Sequence, residues 1–355
     1  MTARLAVVTS GFPRLSETFA LNELLALRRR GMLAAVFATK PGDWSHVQPH
    51  VAGLRDVVTV LPDGDVSRQA DAVAAQLASR GVTALHGYFA HLPAAVAAAA
   101  AARLGVPYGF SAHALDVRKA GDDDLSHRSL RARGVVTCNR ATATALAAAG
   151  VQATVVPHGV DTAWFTPRRG PTASSPFRML TVGRLVEKKG FPVAIAAAAR
   201  LGDGVALRIV GSGADEARLR SLSTGCASVE FAGPRTHREL PAEYAAADVV
   251  VVPSVIDGSG DRDGLPNVVL EAMASGAAVV ASDVAAVPDA IEHEVTGLLV
   301  PPADAPALAA ALRRLQENPS LGCRLGRAAR QRVVERYDLA ACTDALCDHL
   351  EVLYG

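Results

Sequence analysis

Short runs of apolar residues alternate with segments of helical periodicity along nearly the whole chain. This alternation is typical of parallel sheets whose strands are joined by helices on both faces. In the first half the predicted strands are Leu5–Thr9, Ala34–Ala38, Val57–Val60, Ala84–His86, Tyr108–Ser111, Gly134–Thr137 and Thr154–Val156. In the second half they are Arg178–Val182, Ala206–Val210, Val229–Ala232, Val249–Pro253, Ala278–Ser282 and Gly297–Val300. The predicted fold class is therefore α/β, with two doubly wound, Rossmann-like domains.

A polar segment separates the two series of strands. Residues 167–176, PRRGPTASSP, collect Pro, Gly, Ser and Thr and are the predicted linker. A chain of 355 residues is long enough for two cores of about 150 residues each. We expect an N-terminal domain over 1–166, a C-terminal domain over 177–338, and a helix over 339–355 that packs across the domain junction. Two facing sheets of this kind would place a substrate site in the cleft between them.

Charge and cysteine usage exclude several classes of protein. The 36 Lys and Arg against 35 Asp and Glu leave a net charge of +1, which argues against a general nucleic-acid binder. The five cysteines are odd in number and include no CxxC pair. This spacing argues against disulfides and zinc, and it favours a reducing cytoplasm.

The apolar segments are too short to be membrane spans or a signal peptide. The run Leu5–Val8 reads as a first strand, and the Ala-rich stretch Ala94–Ala102 reads as a buried helix. We expect a cytoplasmic chain. The cations Arg28–Arg30 could touch the anionic inner face of the cell membrane, although a solvated helix end explains them equally well.

The cations that follow the strand Arg178–Val182 suit a diphosphate group. Arg184 offers a planar fork to phosphate oxygens and Lys189 offers a mobile point charge. Together they could stabilise a leaving diphosphate without Mg²⁺. The alternative is a solvated basic loop.

Two further segments of the second half could contact a ligand. Gly211 and Gly213 would let a ligand approach the backbone, but the third Gly of a dinucleotide fingerprint is absent, which argues against a nicotinamide dehydrogenase. The segment Asp263-Gly264-Leu265-Pro266-Asn267 leads into a predicted helix, Val268–Ala274, whose first turn suits an anion. Glu271 lies about two turns beyond Asp263, so one carboxylate could meet sugar hydroxyls and the other a ribose. A capping acid and an exposed helical Glu are the alternative.

In the first half, His113 follows the strand Tyr108–Ser111 and should face the cleft. A lone His of this kind is either structural or catalytic. Two Asp-x-Asp patterns, Asp122-Asp123-Asp124 and Asp261-Arg262-Asp263, could suggest a metal. The first lies in a polar segment and the second belongs to the helix motif, so we expect no essential metal.

Several motifs, in order along nearly the whole chain, resemble glycosyltransferase family 4, the retaining enzymes of the GT-B fold. They are Ser16-Glu17-Thr18-Phe19, Phe110-Ser111-Ala112-His113, Val156-Pro157-His158-Gly159-Val160-Asp161, Val182-Gly183-Arg184, Val210-Gly211-Ser212-Gly213, Pro253-Ser254 and Leu270-Glu271-Ala272-Met273-Ala274. The first element and Ser111-Ala112-His113-Ala114-Leu115-Asp116 resemble the branch that builds bacterial exopolysaccharides and similar glycans.

The resemblance implies roles for individual residues. Arg184 and Lys189 would bind the donor diphosphate, Glu271 the ribose hydroxyls, and His113 the transferred sugar. Asp263 stands where the family usually has Glu, so His113, Arg184, Lys189 and Asp263 are the expected catalytic set. The other expected donor-binding residues are Gly11, Gly183, Gly211, Gly213, Pro234, Arg235, Gly264, Leu265, Pro266 and Asn267.

On the acceptor side we expect Glu17, Tyr88 and His113. Gly11 stands where many members have a glycine pair, and Tyr88 where relatives of this branch often have a second His. The family implies same-face attack assisted by the leaving phosphate, so no catalytic base is named. Base recognition would involve backbone near Gly233-Pro234-Arg235.

The expected function is retaining transfer of a sugar from a nucleotide diphosphate sugar to an acceptor. That acceptor would be a glycan, a lipid-linked sugar or a secondary metabolite, and no cofactor is expected. A nucleotide-sugar epimerase of the same architecture and a non-enzymatic glycan-binding protein are the alternatives.

Overall fold

The chain forms two compact units. The computed structural model describes residues 3–14, 17–44, 48–114, 117, 121–167, 175–226 and 228–355. Unit 1 consists of Met1–Gly159 and Ala340–Gly355, and unit 2 of Val160–Leu339. Unit 2 therefore begins before the expected linker, of which residues 168–174 lie outside the described residues. Nearly all of the C-terminal helix belongs to unit 1, whereas we expected a separate element at the domain junction.

Unit 1 is built on a parallel sheet of seven strands in the order β3-β2-β1-β4-β5-β6-β7. Its strands are β1 Leu5–Phe12, β2 Leu33–Pro41, β3 Val58–Val60, β4 Ala84–Tyr88, β5 Tyr108–Ala112, β6 Val135–Thr137 and β7 Thr154–Val155. Its helices are α1 Thr18–Arg29, α2 Val66–Leu77, α3 Leu92–Leu104, α4 Asp122–Arg131 and α5 Arg140–Ala148, and the C-terminal helix Leu339–Tyr354 joins them.

Apolar residues cover both faces of this sheet. The Ala-rich helix α3 buries Ala94, Ala97 and Ala101 against one face, where small side chains allow the helix to lie close to the strands. On the other face, the C-terminal helix buries Leu346 and Leu350 together with residues of α1. Both faces are thus closed, as a parallel sheet requires.

Unit 2 contains a parallel sheet of six strands in the order β10-β9-β8-β11-β12-β13. Its strands are β8 Phe177–Val182, β9 Val205–Val210, β10 Val229–Gly233, β11 Val249–Val252, β12 Ala278–Ser282 and β13 Leu298–Val300. Its helices are α6 Phe191–Leu201, α7 Glu216–Leu222, α8 Leu240–Ala246, α9 Asn267–Ala274, α10 Val287–Ala290, α11 Ala305–Glu317 and α12 Pro319–Arg336, after which comes α13, the C-terminal helix Leu339–Tyr354. The four valines of β11 are all buried, as expected for a strand covered on both faces.

The predicted strands are confirmed. Each is present, with ends displaced by at most three residues. Strand order reverses between β1 and β4 in unit 1 and between β8 and β11 in unit 2. Ligands of doubly wound sheets bind beyond the carboxyl ends of the strands at such reversals, so these two positions are where each unit should bind.

None of the helices in the described part of the chain is long and apolar enough to cross a membrane. Two of the three arginines that could touch a membrane surface are held by carboxylates. Both terminal nitrogens of Arg28 contact Asp56, at 2.6 and 2.9 Å, and Arg30 lies between Asp344 and Asp348. This pairing favours the solvated helix end, and membrane contact stays a prediction.

Candidate functional site

The carboxyl end of β8 carries an exposed arginine. Arg184 follows Gly183 directly, and its side chain is exposed to solvent. The residues that the structure describes place no carboxylate within ion-pair distance of it. Because a guanidinium in this position keeps its donors available, Arg184 can bind an anion at the strand reversal.

Lys188 and Lys189 form an ion-pair network with two aspartates. The Lys189 Nζ lies 2.6 Å from Asp263 Oδ2, and the Lys188 Nζ lies 3.4 Å from Asp263 Oδ1 and 3.0 Å from Asp261 Oδ2. The side chains of Lys188, Lys189 and Asp263 are only 10, 16 and 14% exposed. The interpretation of these lysines as a solvated basic loop is therefore wrong, since they are held inside the unit.

This network also changes the expected picture of Asp263. We expected its carboxylate to be available for sugar hydroxyls, but both of its oxygens face ammonium groups. Asp263 orients the lysines, and a donor that contacts it must share it with them. The Asp261-Arg262-Asp263 carboxylates are likewise occupied by cations.

Glu271 lies on α9 and is buried. Its Oε2 accepts a hydrogen bond of 2.7 Å from the hydroxyl of Tyr244, itself buried on α8. Burial raises the pKa of Glu271, whereas the Tyr244 hydrogen bond and the charge of Lys189 act in the opposite direction. The interpretation as an exposed helical Glu is thus wrong. Tyr244 was not predicted as a site residue.

The helix that carries Glu271 begins at Asn267, one residue earlier than predicted. Pro266 lies immediately before the helix rather than within its first turn, and it has the extended backbone that a residue at this position adopts. Leu265 packs against the apolar core of unit 2. Gly264 links Asp263 to this anchor, so the segment is held at both ends.

The glycines Gly211 and Gly213 serve the packing of two loops. A Cβ at Gly211 would lie 1.8 Å from the carbonyl oxygen of Gly183, and one at Gly213 would lie 2.4 Å from that of Leu185. The loop after β9 therefore packs directly on the loop after β8. Within unit 2 this contact already requires glycine, without any ligand.

Arg235, expected near the nucleotide base, is engaged within its own unit. Its Nε donates to Glu243 Oε1 at 2.9 Å, and its terminal nitrogen donates to the carbonyl oxygens of Ala232 and Pro234. Glu243 also holds Arg208. Arg235 therefore braces the segment after β10.

In unit 1, His113 lies in a cluster of rings at the carboxyl ends of β4 and β5. Its ring centroid is 5.3 Å from those of Phe19 and Tyr88, and 5.2 Å from those of Phe89 and His158. Burial, and secondarily His158, lowers the pKa of His113 well below its usual value. His113 is therefore neutral at physiological pH and can exchange hydrogen bonds as donor and acceptor.

A buried carboxyl group, Glu23 of α1, lies beside this ring cluster. It accepts a hydrogen bond from the Tyr88 hydroxyl, and its Oε1 lies 3.4 Å from His158 Nε2. Burial raises the pKa of Glu23 to about 7. Sequence reasoning missed Glu23, yet it stands on the buried face of α1 between Leu21 and Leu24, where an acid is unusual.

The remaining expected residues of unit 1 lie at the carboxyl end of β1. A Cβ at Gly11 would lie 2.9 Å from the carbonyl oxygen of Pro41, so glycine fits the close approach of β2. Glu17 precedes α1 and accepts a hydrogen bond of 3.1 Å from Arg14. Ser16, Leu115 and Asp116 of the resembling motifs lie outside the described residues.

Comparison with known proteins decides the family. A model described as Glycosyltransferase Family 4 matches residues 16–164, and one described as Glycosyl transferases group 1 matches residues 176–318. WcaL of Salmonella typhimurium, named for colanic acid biosynthesis as a glycosyltransferase, is 31% identical over 96% of this chain and 98% of that protein. The chain belongs to glycosyltransferase family 4.

Two further relatives of this family 4 glycosyltransferase are informative. The amylovoran biosynthesis glycosyltransferase AmsK of Erwinia amylovora is 34% identical over 55% of this chain and 49% of that protein. The crystal structure of Anabaena HepE in complex with UDP matches with a TM-score of 0.84 at 18% identity, covering 98% of this chain and 99% of that one. The latter likeness shows the fold, GT-B with two Rossmann-like domains. The enzyme is a glycosyltransferase, which leaves the epimerase and binding-protein alternatives without support.

Proposed function

We propose that this glycosyltransferase transfers a sugar from a nucleotide diphosphate sugar to a growing glycan or lipid-linked glycan, with retention and without a metal ion. The observation that carries the proposal is the cation set at the carboxyl end of β8. Arg184 is exposed there, and Lys189 is held beside it in the same loop by Asp263. Two cations at a strand reversal suit the charge that develops on a leaving diphosphate.

The donor assignment has support from unit 2 and from a structural relative. Glu271 is buried and fixed by Tyr244, which suits a carboxylate that accepts hydrogen bonds from ribose hydroxyls. HepE, which shares the fold, is described in complex with UDP. For the acceptor, WcaL and AmsK are named for the biosynthesis of colanic acid and amylovoran, so we infer a glycan acceptor of the exopolysaccharide type.

In the proposed reaction, Arg184 and Lys189 stabilise the departing diphosphate, and neutral His113 contacts the sugar. The acceptor hydroxyl attacks the anomeric carbon from the face that the diphosphate leaves, and a leaving phosphate oxygen takes its proton. The anomeric configuration is retained. Lys189 shifts part of its interaction from Asp263 to the phosphate, because both anions compete for the same ammonium group.

The test is the thermal shift of the protein with UDP-, GDP-, ADP- and TDP-sugars in the presence of EDTA. We expect one nucleotide class to raise the unfolding temperature, and Arg184→Ala to abolish the rise. Arg313→Ala, which removes an exposed arginine of α11, is the matched control and should keep it.

A rise that survives in Arg184→Ala would contradict the assigned phosphate site. A rise that disappears with EDTA would contradict the metal-free donor site. Product analysis with the stabilising donor then separates retention from inversion at the anomeric carbon, and transfer from conversion of the donor itself.

A further inference from the structure

Three side chains with metal-ligating atoms meet in unit 1 at the carboxyl ends of β5 and β6. One ligand atom from each of His113, Cys138 and His158 lies within 4.8 Å of the other two. Among the residues that the structure describes, this is the one group of three such residues close enough to hold a metal ion. The cysteine spacing in the sequence gives no sign of it, because the three residues belong to separate loops.

The donor types fit a borderline-soft divalent cation. One thiolate and two imidazoles are the ligands that Zn²⁺ prefers, and three protein ligands leave a fourth position open. Burial lowers the pKa of His158 to about 3 and that of His113 well below its usual value. Both rings are thus neutral at physiological pH, as ligation requires.

The surroundings of Cys138 favour a negative charge on its sulfur. Asn139 caps α5, where its side-chain oxygen accepts a 2.8 Å hydrogen bond from the Thr142 amide. The amide group of the same side chain donates to Cys138 Sγ at 3.2 Å. Because the cap fixes the orientation of the amide, a donor is held against the sulfur, at the end of α5 that carries the positive side of the helix dipole.

The two imidazoles are also held in place. Phe19 stacks on His158 with ring centroids 4.4 Å apart and an interplanar angle of 13°. Glu23 Oε1 lies 3.4 Å from His158 Nε2, an arrangement in which a carboxylate orients a ligating histidine. Such outer partners raise the basicity of the ligand and fix its ring plane.

We propose that His113, Cys138 and His158 bind one Zn²⁺ ion, and that this ion inhibits glycosyl transfer by occupying the position of the sugar. The inhibitory part rests on the proposed function, which places His113 against the transferred sugar. The site is distinct from the metal-free donor site in unit 2, since none of its ligands takes part in phosphate binding. Zinc is thus a regulator of this enzyme and not a cofactor.

The binding test uses Co²⁺ as a spectroscopic substitute for Zn²⁺ and the full chain freed of any affinity tag. Cys226 and Cys323 are half-buried in unit 2, so the double variant Cys226→Ser, Cys323→Ser removes competing thiols. We expect it to bind one Co²⁺ per chain with a thiolate-to-cobalt charge-transfer band, which an equivalent of Zn²⁺ abolishes.

Adding Cys138→Ser to this background should remove the charge-transfer band and weaken Co²⁺ binding by about 100-fold or more, since loss of a ligand exceeds the effect of losing an outer partner. His158→Gln should keep the thiolate band and weaken binding. It therefore tests the site independently if Cys138→Ser fails to fold, which circular dichroism detects. Absence of the band in the background variant, or its persistence in Cys138→Ser, would overturn the metal site.

The inhibition is measured separately, with each variant compared with its own rate without metal. Zn²⁺ should stop transfer in the background variant and not in Cys138→Ser. Equal inhibition of both would overturn the regulatory role. A chain that shows the cobalt band but no stabilisation by any nucleotide sugar would retain the metal site and lose the proposed function.

Discussion

At the scale of single residues, two adjacent lysines have different roles. Lys188 contacts Asp261 and Asp263, whereas Lys189 makes the shorter contact, 2.6 Å, with Asp263 and also acts on Glu271. Two lysines and two aspartates cancel in charge. The positive charge that attracts a diphosphate therefore comes from Arg184, and the lysines adjust once the phosphate is bound.

The Tyr244 hydroxyl tests how Glu271 is held. Tyr244→Phe keeps the buried ring but leaves the carboxylate of Glu271 without its donor. We expect a loss of about 1–3 kcal/mol in the free energy of unfolding, because a buried acceptor is then unsatisfied. Chemical denaturation measures this loss, and nucleotide titration should show weaker binding.

The control for Tyr244 is the same change in the Glu271→Gln background. A neutral amide loses less when its partner is removed, so the cost of Tyr244→Phe should be smaller there. Equal costs in the two backgrounds would mean that the hydroxyl does not stabilise the carboxylate.

At the scale of elements, the loops after β8 and β9 form one packed unit. Gly211 donates its amide to Gly233 and lies against the carbonyl of Gly183, so the ends of three neighbouring strands are connected. Arg184 is the next residue after Gly183. The position of the phosphate-binding arginine therefore depends on glycines that need not contact the phosphate.

Gly211→Ala should disturb this packing. Its φ of +145° and the 1.8 Å approach to Gly183 O leave no room for a methyl group, so we expect a loss of about 3 kcal/mol or more in unfolding free energy. Gly225 has a φ of +84° with no atom near the Cβ position, so Gly225→Ala carries only backbone strain, about 1–2 kcal/mol. Equal losses in chemical denaturation would show that loop contact is unimportant.

At the scale of the whole molecule, unit 1 contains buried histidines that make its stability depend on pH. His86 lies between the Tyr354 hydroxyl, 3.0 Å from Nδ1, and the Ser111 hydroxyl, 2.9 Å from Nε2. Burial lowers its pKa to about 3, and His349 and His113 act in the same direction. Tyr354 belongs to α13, so this network joins the end of the chain to β4 and β5.

The sign of the pH effect follows from proton binding. An unfolded histidine binds a proton near pH 6.5, whereas folded His86 does so only near pH 3. Between these values the unfolded state holds more protons, so His86 makes unfolding free energy fall with acidification by up to about 1.4 kcal/mol per pH unit. His86→Gln should make the decline between pH 7 and pH 5 shallower.

The chain offers a reporter for this measurement. It has two tryptophans, Trp44 in unit 1 and Trp164 in unit 2. In a Trp164→Phe background, the fluorescence of Trp44 follows the unfolding of unit 1 alone. An unchanged pH slope in His86→Gln would show that His86 does not control the acid response. Glu23 acts oppositely, since its raised pKa removes stability as pH rises toward 7.

The sequence by itself determined the strands, the fold class and the family, because each depends on local patterns. Apolar runs such as β11 and β12 identify buried strands without reference to distant residues, and motifs such as Val182-Gly183-Arg184 keep their meaning in any chain that conforms to the fold. Arg184, His113 and Glu271 were therefore identifiable as site residues from the sequence.

Only the tertiary structure decided what those residues contact. The pairing of Lys189 with Asp263, of Glu271 with Tyr244, and of His113 with Cys138 and His158 joins residues that are far apart in sequence. So does the packing of α13 in unit 1, which the domain prediction missed. Burial and neighbouring charge set the protonation of each group, and both depend on which strands lie side by side, which no local pattern of residues contains.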